Sequence, residues 1–311
     1  MDAKQKQVAR ADPPSARTPD QLAPALSVII AVYNDWGPLK QCLESLQQQT
    51  SAPTFEVIVV DDGSCEAAPE FIRNPSYNYP LNLIEQSHAG IPSARNRGIR
   101  ASRGTVLLFV DADGRLLDNC LASLSSTIAN SFEHDYFQLR LVGNCASLMG
   151  RAEELRLINF QNHTLEPDGR IRYLNTAGFA MKRSRANIEL GVFDPMALRG
   201  EDTLLLASLM ERGELPLFVP DAIVEHSVPL SLPASLRKDF RSAYLERRMY
   251  QTIASKEVKI RISHRERLKL LSSMWKTADR DSIGRSAWFA LVIRQSFKRA
   301  LSFGYRFGLH R

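Results

Sequence analysis

Two aspartates separated by one residue form the first pattern in this chain that could carry chemistry. Asp111 and Asp113 follow an apolar run, Val106 to Val110, that is typical of a fully buried strand. Two carboxylates that leave a rigid strand end together are hard oxygen ligands, which Mg²⁺ and Mn²⁺ take together with substrate phosphates. Taken alone, such a pair is common by chance and is more often an ordinary solvated acidic turn than a metal site.

A second acidic pattern, Asp61-Asp62-Gly63-Ser64, ends another apolar run. One carboxylate here could accept a hydrogen bond from the N–H group of a nucleic base while the backbone closes round a nucleotide. The alternative is a turn, or a helix N-cap supplied by Asp62 or Ser64.

Elements of alternating type must position these two acidic loops. Between Ala25 and Asp113, short runs rich in Val, Ile and Leu alternate with segments of helical period. This alternation is typical of helices that cover both faces of a parallel sheet, whose ligands bind beyond the carboxyl ends of the strands. Both acidic loops are therefore predicted on one ligand-binding edge. The predicted strands are Leu26–Val32, Glu56–Asp61, Leu81–Gln86 and Val106–Asp111, and the predicted helices are Pro38–Gln49 and Ile91–Ser102.

Further short blocks follow in one order along the chain. The blocks are SVIIAVYN, VIVVDDGS, AGIPSARNRGI, LLFVDADG, NTAGFAMKRS, GVFDP, GED and VEHS. This series resembles the family 2 glycosyltransferases of the GT-A fold, and the resemblance extends from Leu26 to Ser227. It implies an α/β domain in which helices flank a central, mostly parallel sheet.

The resemblance also implies residues that bind a nucleotide-sugar. Ala31 and Tyr33, after the first strand, match nucleoside contacts, with Tyr33 stacking or packing edge-on against the base. Asp62 matches the acid that reads a uracil-type base edge. Arg95 matches a basic residue near the base and the phosphates, and Asp111 matches a contact to the ribose or to the water shell of the metal.

Metal binding and catalysis are assigned by the same resemblance. Asp113 matches the direct ligand of a divalent cation, Mg²⁺ or Mn²⁺. Asp202 matches the catalytic base, with Glu201 as the competing carboxylate. We expect Asp202 at the start of a helix, where backbone N–H groups favour the ionised form. His226 is interpreted either as a packed or surface imidazole or as a contact to the metal and the diphosphate.

The activity implied is an inverting, metal-dependent transfer of one sugar, hexosyltransferase-like, from a nucleotide-sugar of the UDP type to a hydroxyl acceptor. Surface polysaccharide or glycolipid assembly is the expected setting, with a saccharide or lipid-linked saccharide as acceptor. GVFDP departs from the GGFDE-like sequence of many relatives, which puts the acceptor loop in doubt. The QxxRW block of processive synthases is absent, which favours a single addition. The alternative from another functional class is a non-catalytic nucleotide-sugar-binding or scaffolding protein on the same fold.

Composition indicates the cellular setting. The four cysteines form no CxxC pair, which argues against a disulfide framework or a zinc site and favours reduced thiols. Residues 1–24 are polar, lack the apolar core of a signal peptide and are predicted to form a disordered leader. The run Ala287 to Ile293 is too short to span a bilayer. We expect a cytoplasmic protein that could lie peripherally on the inner face of the membrane.

Charge divides the chain into two parts. Residues 235–311 contain 19 Lys and Arg against 6 Asp and Glu, whereas residues 1–234 contain 21 against 28. The predicted organisation is therefore a leader at 1–24, a GT-A domain at 25–234 and a basic helical region at 235–311. This basic region could pack on the catalytic core as a helical subdomain, or it could lie on an anionic membrane. No motif supports a nucleic-acid partner. The apolar helical stripe that favours the membrane consists of Phe289, Ile293, Phe297, Ala300, Leu301 and Gly304.

Overall fold

A computed structural model describes residues 23–197, 199–226, 231–240, 242, 263–280 and 283–306 of the 311-residue chain. The predicted leader at 1–24 lies almost wholly outside the described residues. In the predicted basic helical region at 235–311, residues 241, 243–262, 281–282 and 307–311 also lie outside the described residues.

In the part of the chain that the structure describes, one sheet of eight strands forms the centre of the fold, in the order β3-β2-β1-β4-β7-β6-β8-β5. Among the described strands, four neighbouring pairs are parallel and three are antiparallel, as expected for a mostly parallel sheet. The strands are β1 Leu26–Val32, β2 Phe55–Asp61, β3 Leu81–Glu85, β4 Val106–Asp111, β5 Gly114–Leu116, β6 Tyr136–Gly143, β7 Phe179–Lys182 and β8 Leu217–His226.

Strand β1 organises the parallel half of this sheet because it pairs with β2 on one side and with β4 on the other. Ala31 lies opposite Val60 and also opposite Asp111, so the carboxyl ends of the three strands meet in one register. The apolar runs predicted these strands to within one residue at each end. Strand β8 extends over ten residues because it pairs with both β6 and β5.

Helices cover both faces of the sheet. They are α1 Trp36–Gln47, α2 Glu70–Arg73, α3 Ile91–Ala101, α4 Cys120–Asn130, α5 Leu148–Thr164, α6 Glu201–Glu211, α7 at 232–240, α8 His264–Arg280 and α9 Arg285–Arg306. Helix α1 begins two residues before the predicted start at Pro38, and α3 begins at the predicted Ile91 with Pro92 in its first turn.

Alternate residues of the central strands enter two separate cores. Ile30 and Leu108 pack into one core with residues of α1 and α4, and Ile29 and Phe109 pack into the other with residues of α3 and α6. Side chains that alternate between two buried faces explain why β1 and β4 are apolar at nearly every position. Two of the four thiols, Cys42 and Cys120, are also core residues, whereas Cys65 and Cys145 are exposed.

The described part of the basic region packs on the domain as a helical layer. Side chains of α8 and α9, including Met274 and Leu291, share a third core with Leu155 of α5. The Asn159 side chain on α5 accepts hydrogen bonds from Ser273 and Thr277 of α8, at 2.9 and 3.2 Å. Helices α8 and α9 therefore pack on the α/β domain as a helical subdomain, which is one of the two arrangements considered from the sequence.

A buried ion-pair network strengthens this attachment. Arg294 of α9 donates two hydrogen bonds to Asp239 of α7, at 2.6 and 3.1 Å, and lies 3.6 Å from the Glu153 carboxylate of α5. Burial opposes ionisation of Glu153, but the charges of Arg156 and Arg294 outweigh it and lower the Glu153 pKa to about 2. No described helix is long and apolar enough to cross a membrane.

The packing of α9 gives a direct test on one helix. Leu291→Ala should lower the free energy of unfolding by about 2–4 kcal/mol, because Leu291 is 1% exposed and its removal leaves a cavity. The matched control is Ile293→Ala, two residues away and 51% exposed, which should cost less than about 1 kcal/mol. Urea unfolding measures both. Equal, small losses would contradict an α9 that is part of the folded core.

Candidate functional site

Four predicted nucleoside contacts lie at the carboxyl ends of the parallel strands. Ala31 lies near the end of β1 and Tyr33 follows it, Asp62 follows β2 and Asp111 ends β4. These four residues meet at one edge of the sheet because the three strands are parallel and in register. Ala31 is half-buried and Tyr33 is exposed, so a planar ligand can reach both.

The Asp62 carboxylate organises the loop that leads into α3. It is buried and accepts hydrogen bonds from the backbone N–H groups of Ala89 and Gly90, both at 2.9 Å, and from Gln86 Nε2 at 2.7 Å. The backbone at Gly63 has φ +78°, and a Cβ there would meet the backbone nitrogen of His88 at 2.7 Å. The loop after β2 and the loop after β3 thus approach too closely for any other residue at position 63.

His88 completes this corner of the site, although the sequence analysis missed it. Its ring stacks on Tyr33 with centroids 4.3 Å apart, and its Nδ1 lies 2.9 Å from the Asp62 carboxylate. Tyr33, Asp62 and His88 therefore form a small platform of one phenol, one imidazole and one carboxylate. His88 immediately precedes the AGIPSARNRGI block, which is the signal that could have identified it.

The DxD pair meets His226 at the end of β8. Strand β5 pairs antiparallel with β8 so that Gly114 lies opposite His226, which places the imidazole beside the preceding aspartates. His226 Nε2 lies 3.5 Å from Asp113 and 4.0 Å from Asp111, and ligand atoms of the three residues lie within 4.8 Å of one another. Two carboxylate oxygens and one imidazole nitrogen at this spacing fit a divalent cation such as Mn²⁺ or Mg²⁺.

The protonation of Asp113 reflects this crowding. Burial raises its pKa above the ordinary value, the His226 imidazole opposes the rise, and the neighbouring Asp111 carboxylate adds to it. A positive charge added beside Asp113 would therefore stabilise its ionised form and lower its pKa.

Arg95 of α3 joins the DxD strand to α6. Its guanidinium is buried and donates to Asp111 at 2.7 Å and to Glu201 at 2.5 Å, with the ring of Phe193 5.6 Å away. Burial opposes the charge, but attraction to Asp111 and Glu201 outweighs it and raises the Arg95 pKa. Arg95 thus holds two carboxylates in place, and direct contact with a phosphate stays a prediction.

The two acids that open α6 have different surroundings. Glu201 accepts a hydrogen bond from Arg95. Among the described contacts, Asp202 accepts hydrogen bonds only from its neighbour Thr203. Burial first, and then the Glu201 charge, raise the Asp202 pKa to about 6. The helix starts where predicted, but the expected preference of its first turn for an ionised carboxylate is outweighed by burial.

Asn96 fixes the loop that carries GVFDP, another role that the sequence analysis missed. Its Oδ1 accepts from the N–H groups of Val192 and Phe193, at 2.9 and 3.0 Å, and its Nδ2 donates to the carbonyl oxygen of Phe193 at 2.7 Å. Gly191, at φ +88°, leaves room for this amide, since a Cβ there would lie 2.4 Å from it. Helix α3 therefore positions both Arg95 and the predicted acceptor loop.

Residues 27–190, which make up more than half of the chain, match the profile of glycosyl transferase family 2. The chain belongs to glycosyl transferase family 2. The matched segment of this family 2 protein contains Tyr33, Asp62, Arg95 and the DxD pair, Asp111 and Asp113. It ends before α6 and β8, so the match does not extend to Asp202 and His226.

Individual relatives agree with this assignment. The chain is 43% identical over 89 residues to a protein of Escherichia coli (strain K12) described as uncharacterized glycosyltransferase YibD. The aligned segment covers 28% of this chain and 26% of that protein. The matches to the first curated relatives likewise span about a quarter of their length.

Solved structures confirm the GT-A architecture. The mannosyltransferase PcManGT from Pyrobaculum calidifontis, in complex with GDP-Man and Mn²⁺, has a TM-score of 0.56 at 16% identity, over 96% of this chain and 85% of that one. S. aureus TarS 1-349 in complex with UDP has a TM-score of 0.53 at 18% identity, over 91% of each chain. At such low identity, the similarity shows the shared fold.

The role of Asn96 can be tested without an activity assay. Asn96→Ala removes three hydrogen bonds and should lower the free energy of unfolding by about 2–4 kcal/mol, because the freed backbone groups at 192 and 193 lose their partners. Hydrogen exchange of the Val192 and Phe193 amides should become faster. Asn187→Ala is the matched control, since exposed Asn187 bonds two loop amides in a similar way and its loss should cost less than about 1 kcal/mol. Unchanged exchange at Val192 and Phe193 would contradict the role.

Proposed function

We propose that the protein transfers one sugar from a nucleotide-sugar, of the UDP class, to a hydroxyl group of a saccharide or lipid-linked saccharide, with inversion at the anomeric carbon. The observation that carries this proposal is the meeting of Asp111, Asp113 and His226 beside the strand ends, with Asp202 linked to them through Glu201 and Arg95. We assign this chemistry to residues 25–234 and none of it to the basic region at 235–311, whose described helices pack on α5.

The nucleoside is proposed to occupy the platform formed by Tyr33, Asp62 and His88. Tyr33 offers a ring face for stacking, and Asp62 offers an acceptor to a base N–H. Because four donors already surround the Asp62 carboxylate, binding of a base would require His88 or Gln86 to shift. The two similar folds named above were solved with UDP and with GDP-Man, which supports a nucleotide donor here.

The donor diphosphate is proposed to lie next to Asp111, Asp113 and His226. These residues would hold Mg²⁺ or Mn²⁺, which would supply positive charge to the developing diphosphate leaving group. PcManGT was solved with Mn²⁺, which supports this choice of cofactor.

Asp202 is proposed to be the catalytic base. It would accept the proton of the acceptor hydroxyl as the new glycosidic bond forms and the bond to the nucleoside diphosphate breaks. A pKa near 6 leaves Asp202 largely ionised at neutral pH while keeping it basic enough to take the proton. Glu201 acts as a positioning residue, because it is held by Arg95 and its charge raises the pKa of Asp202.

The metal assignment is tested by binding and by turnover. Asp113→Asn should weaken Mn²⁺ binding in the presence of UDP by on the order of 100-fold, as loss of one charged ligand would do. Calorimetry measures the binding, and nucleoside diphosphate release from a panel of nucleotide-sugars measures turnover, which should stop with the variant or with excess chelator. The control is Asp118→Asn, an exposed acid outside the cluster, which should leave both unchanged. Wild-type Mn²⁺ affinity in Asp113→Asn would overturn the assignment.

The base assignment is tested by a pH profile. For the wild type, kcat should rise with pH through about 6 and then level off, because Asp202 must lose its proton before it can accept another. Asp202→Asn should lose that limb and a factor on the order of 10² to 10⁴ in rate, with donor affinity largely retained.

The neighbouring acid provides the control for this experiment. Glu201→Gln should keep the limb and move it to lower pH, since removal of a negative charge favours ionisation of Asp202. Loss of the limb in Glu201→Gln, and its retention in Asp202→Asn, would show that Glu201 is the base.

A further inference from the structure

Helix α9 carries two apolar faces, only one of which is buried. Ala287 and Leu291 pack against α5 in the third core. Phe289, Ile293 and Phe297 are 54%, 51% and 36% exposed. Because they follow one another at four-residue intervals, these three side chains lie along one line of the helix surface, which we name the outer stripe.

The outer stripe begins at an aromatic cluster where α8 and α9 meet. Phe289 packs edge-to-face against Trp275 and Trp288, with ring centroids 5.9 and 5.2 Å apart. Trp288 is fixed by a 2.9 Å hydrogen bond from its Nε1 to the carbonyl oxygen of Leu271. Leu268 of α8 is also 68% exposed. Large apolar side chains that are exposed in a line, on a rigid support, are typical of an interaction surface.

Positive charge accompanies the outer stripe. Residues 283–306 contain five Lys and Arg and no Asp or Glu. Two of them are paired with acids: Arg294 forms the ion pairs that attach α9, and Arg285 lies 3.2 Å from the Asp279 carboxylate of α8. Partial burial, and then the like charge of Arg267 on α8, lower the pKa of the Arg299 guanidinium, so these two cations are neighbours. An anion beside them would relieve their repulsion.

We infer that the outer stripe, together with Arg267 and Arg299, docks the protein on an anionic lipid surface, with α9 lying in the plane of that surface. Helix α9 has 22 residues and is about 33 Å long. Its apolar side chains would enter the boundary between headgroups and acyl chains while the cations meet lipid phosphates. This docking is independent of the transfer reaction proposed above.

Charge decides between a lipid surface and a second copy of the chain. A two-fold symmetric dimer through the outer stripe would bring the same basic face of each copy together. Like charges would then be desolvated against each other, which opposes association. An anionic bilayer supplies the complementary charge and an apolar layer at once.

The experiment uses the full chain and sedimentation with two kinds of vesicle. One kind is phosphatidylcholine alone, and the other contains phosphatidylglycerol at about one lipid in four, which gives a negative surface potential. We expect binding to the anionic vesicles only, weakened but not abolished at about 0.5 M salt, because salt screens the cations and spares apolar insertion.

Two sets of substitutions separate the apolar and the charged contributions. The combined variant Phe289→Ser, Ile293→Ser and Phe297→Ser should lower the bound fraction at least about tenfold, as should Arg267→Gln with Arg299→Gln. The control is Phe132→Ser, because Phe132 is 81% exposed but lies outside the basic region, and it should bind like the wild type. Melting temperatures close to the wild-type value would show that each variant folds, and nucleoside diphosphate release should be unchanged in all of them.

Several outcomes would overturn the inference. These are equal binding to both kinds of vesicle, binding to neither, or undiminished binding of the triple variant. A dimer in sedimentation velocity that the triple variant abolishes, without vesicle binding, would assign the outer stripe to a second copy. Binding to a single-stranded oligonucleotide that the arginine variant abolishes, again without vesicle binding, would assign the surface to nucleic acid. None of these results would alter nucleoside diphosphate release, so the proposed transfer reaction is judged separately.

Discussion

The buried Arg95 guanidinium is the interaction on which the arrangement of the site depends. It joins Asp111, at the end of a central strand, to Glu201, at the start of a helix that is 90 positions further along the chain. A buried cation is tolerated only when it is paired, and a pair that loses one partner leaves an uncompensated buried charge. Arg95 therefore fixes the distance between the strand that carries the DxD pair and the helix that carries Asp202.

One guanidinium does not balance the acids around it. Asp111, Asp113, Glu201 and Asp202 lie on the two elements that Arg95 connects, and the raised pKa values of Asp113 and Asp202 follow from burial beside like charges. This excess of negative charge serves two purposes in the proposed reaction. It provides oxygen ligands for a divalent cation, and it keeps one carboxylate basic enough to accept a proton near neutral pH.

The same physical rule applies to the basic helices, whose buried cation Arg294 is paired with acids of neighbouring helices. Arg294 is held between Glu153 and Asp239, which makes α9 part of the fold. The sequence of that helix contains no Asp or Glu, and its outer side carries the exposed outer stripe. A single helix can thus serve stability with one face and docking with the other.

The sequence by itself determined the elements that local patterns encode. Apolar runs and helical periodicity placed β1, β2, β4, α1 and α3 within about two residues, and the position of Asp61 and Asp113 after such runs placed both acidic loops on one edge of the sheet. The ordered blocks also identified the family, because their residue types and order are properties of the chain and need no coordinates.

Only the tertiary structure decided how residues distant in the chain meet. The partners of Arg95, the approach of His226 to the DxD pair and the stacking of His88 on Tyr33 depend on strand pairing and loop packing, which no local pattern specifies. The raised pKa of Asp202 did not follow from its helix position, because burial is a property of the whole fold and here exceeds the effect of the helix dipole. The stripe that contains Phe289 and Ile293 was visible in the sequence, but the buried side of α9 was not, for the same reason. Only the packing of Leu291 against α5 shows that Phe289 and Ile293 stay exposed.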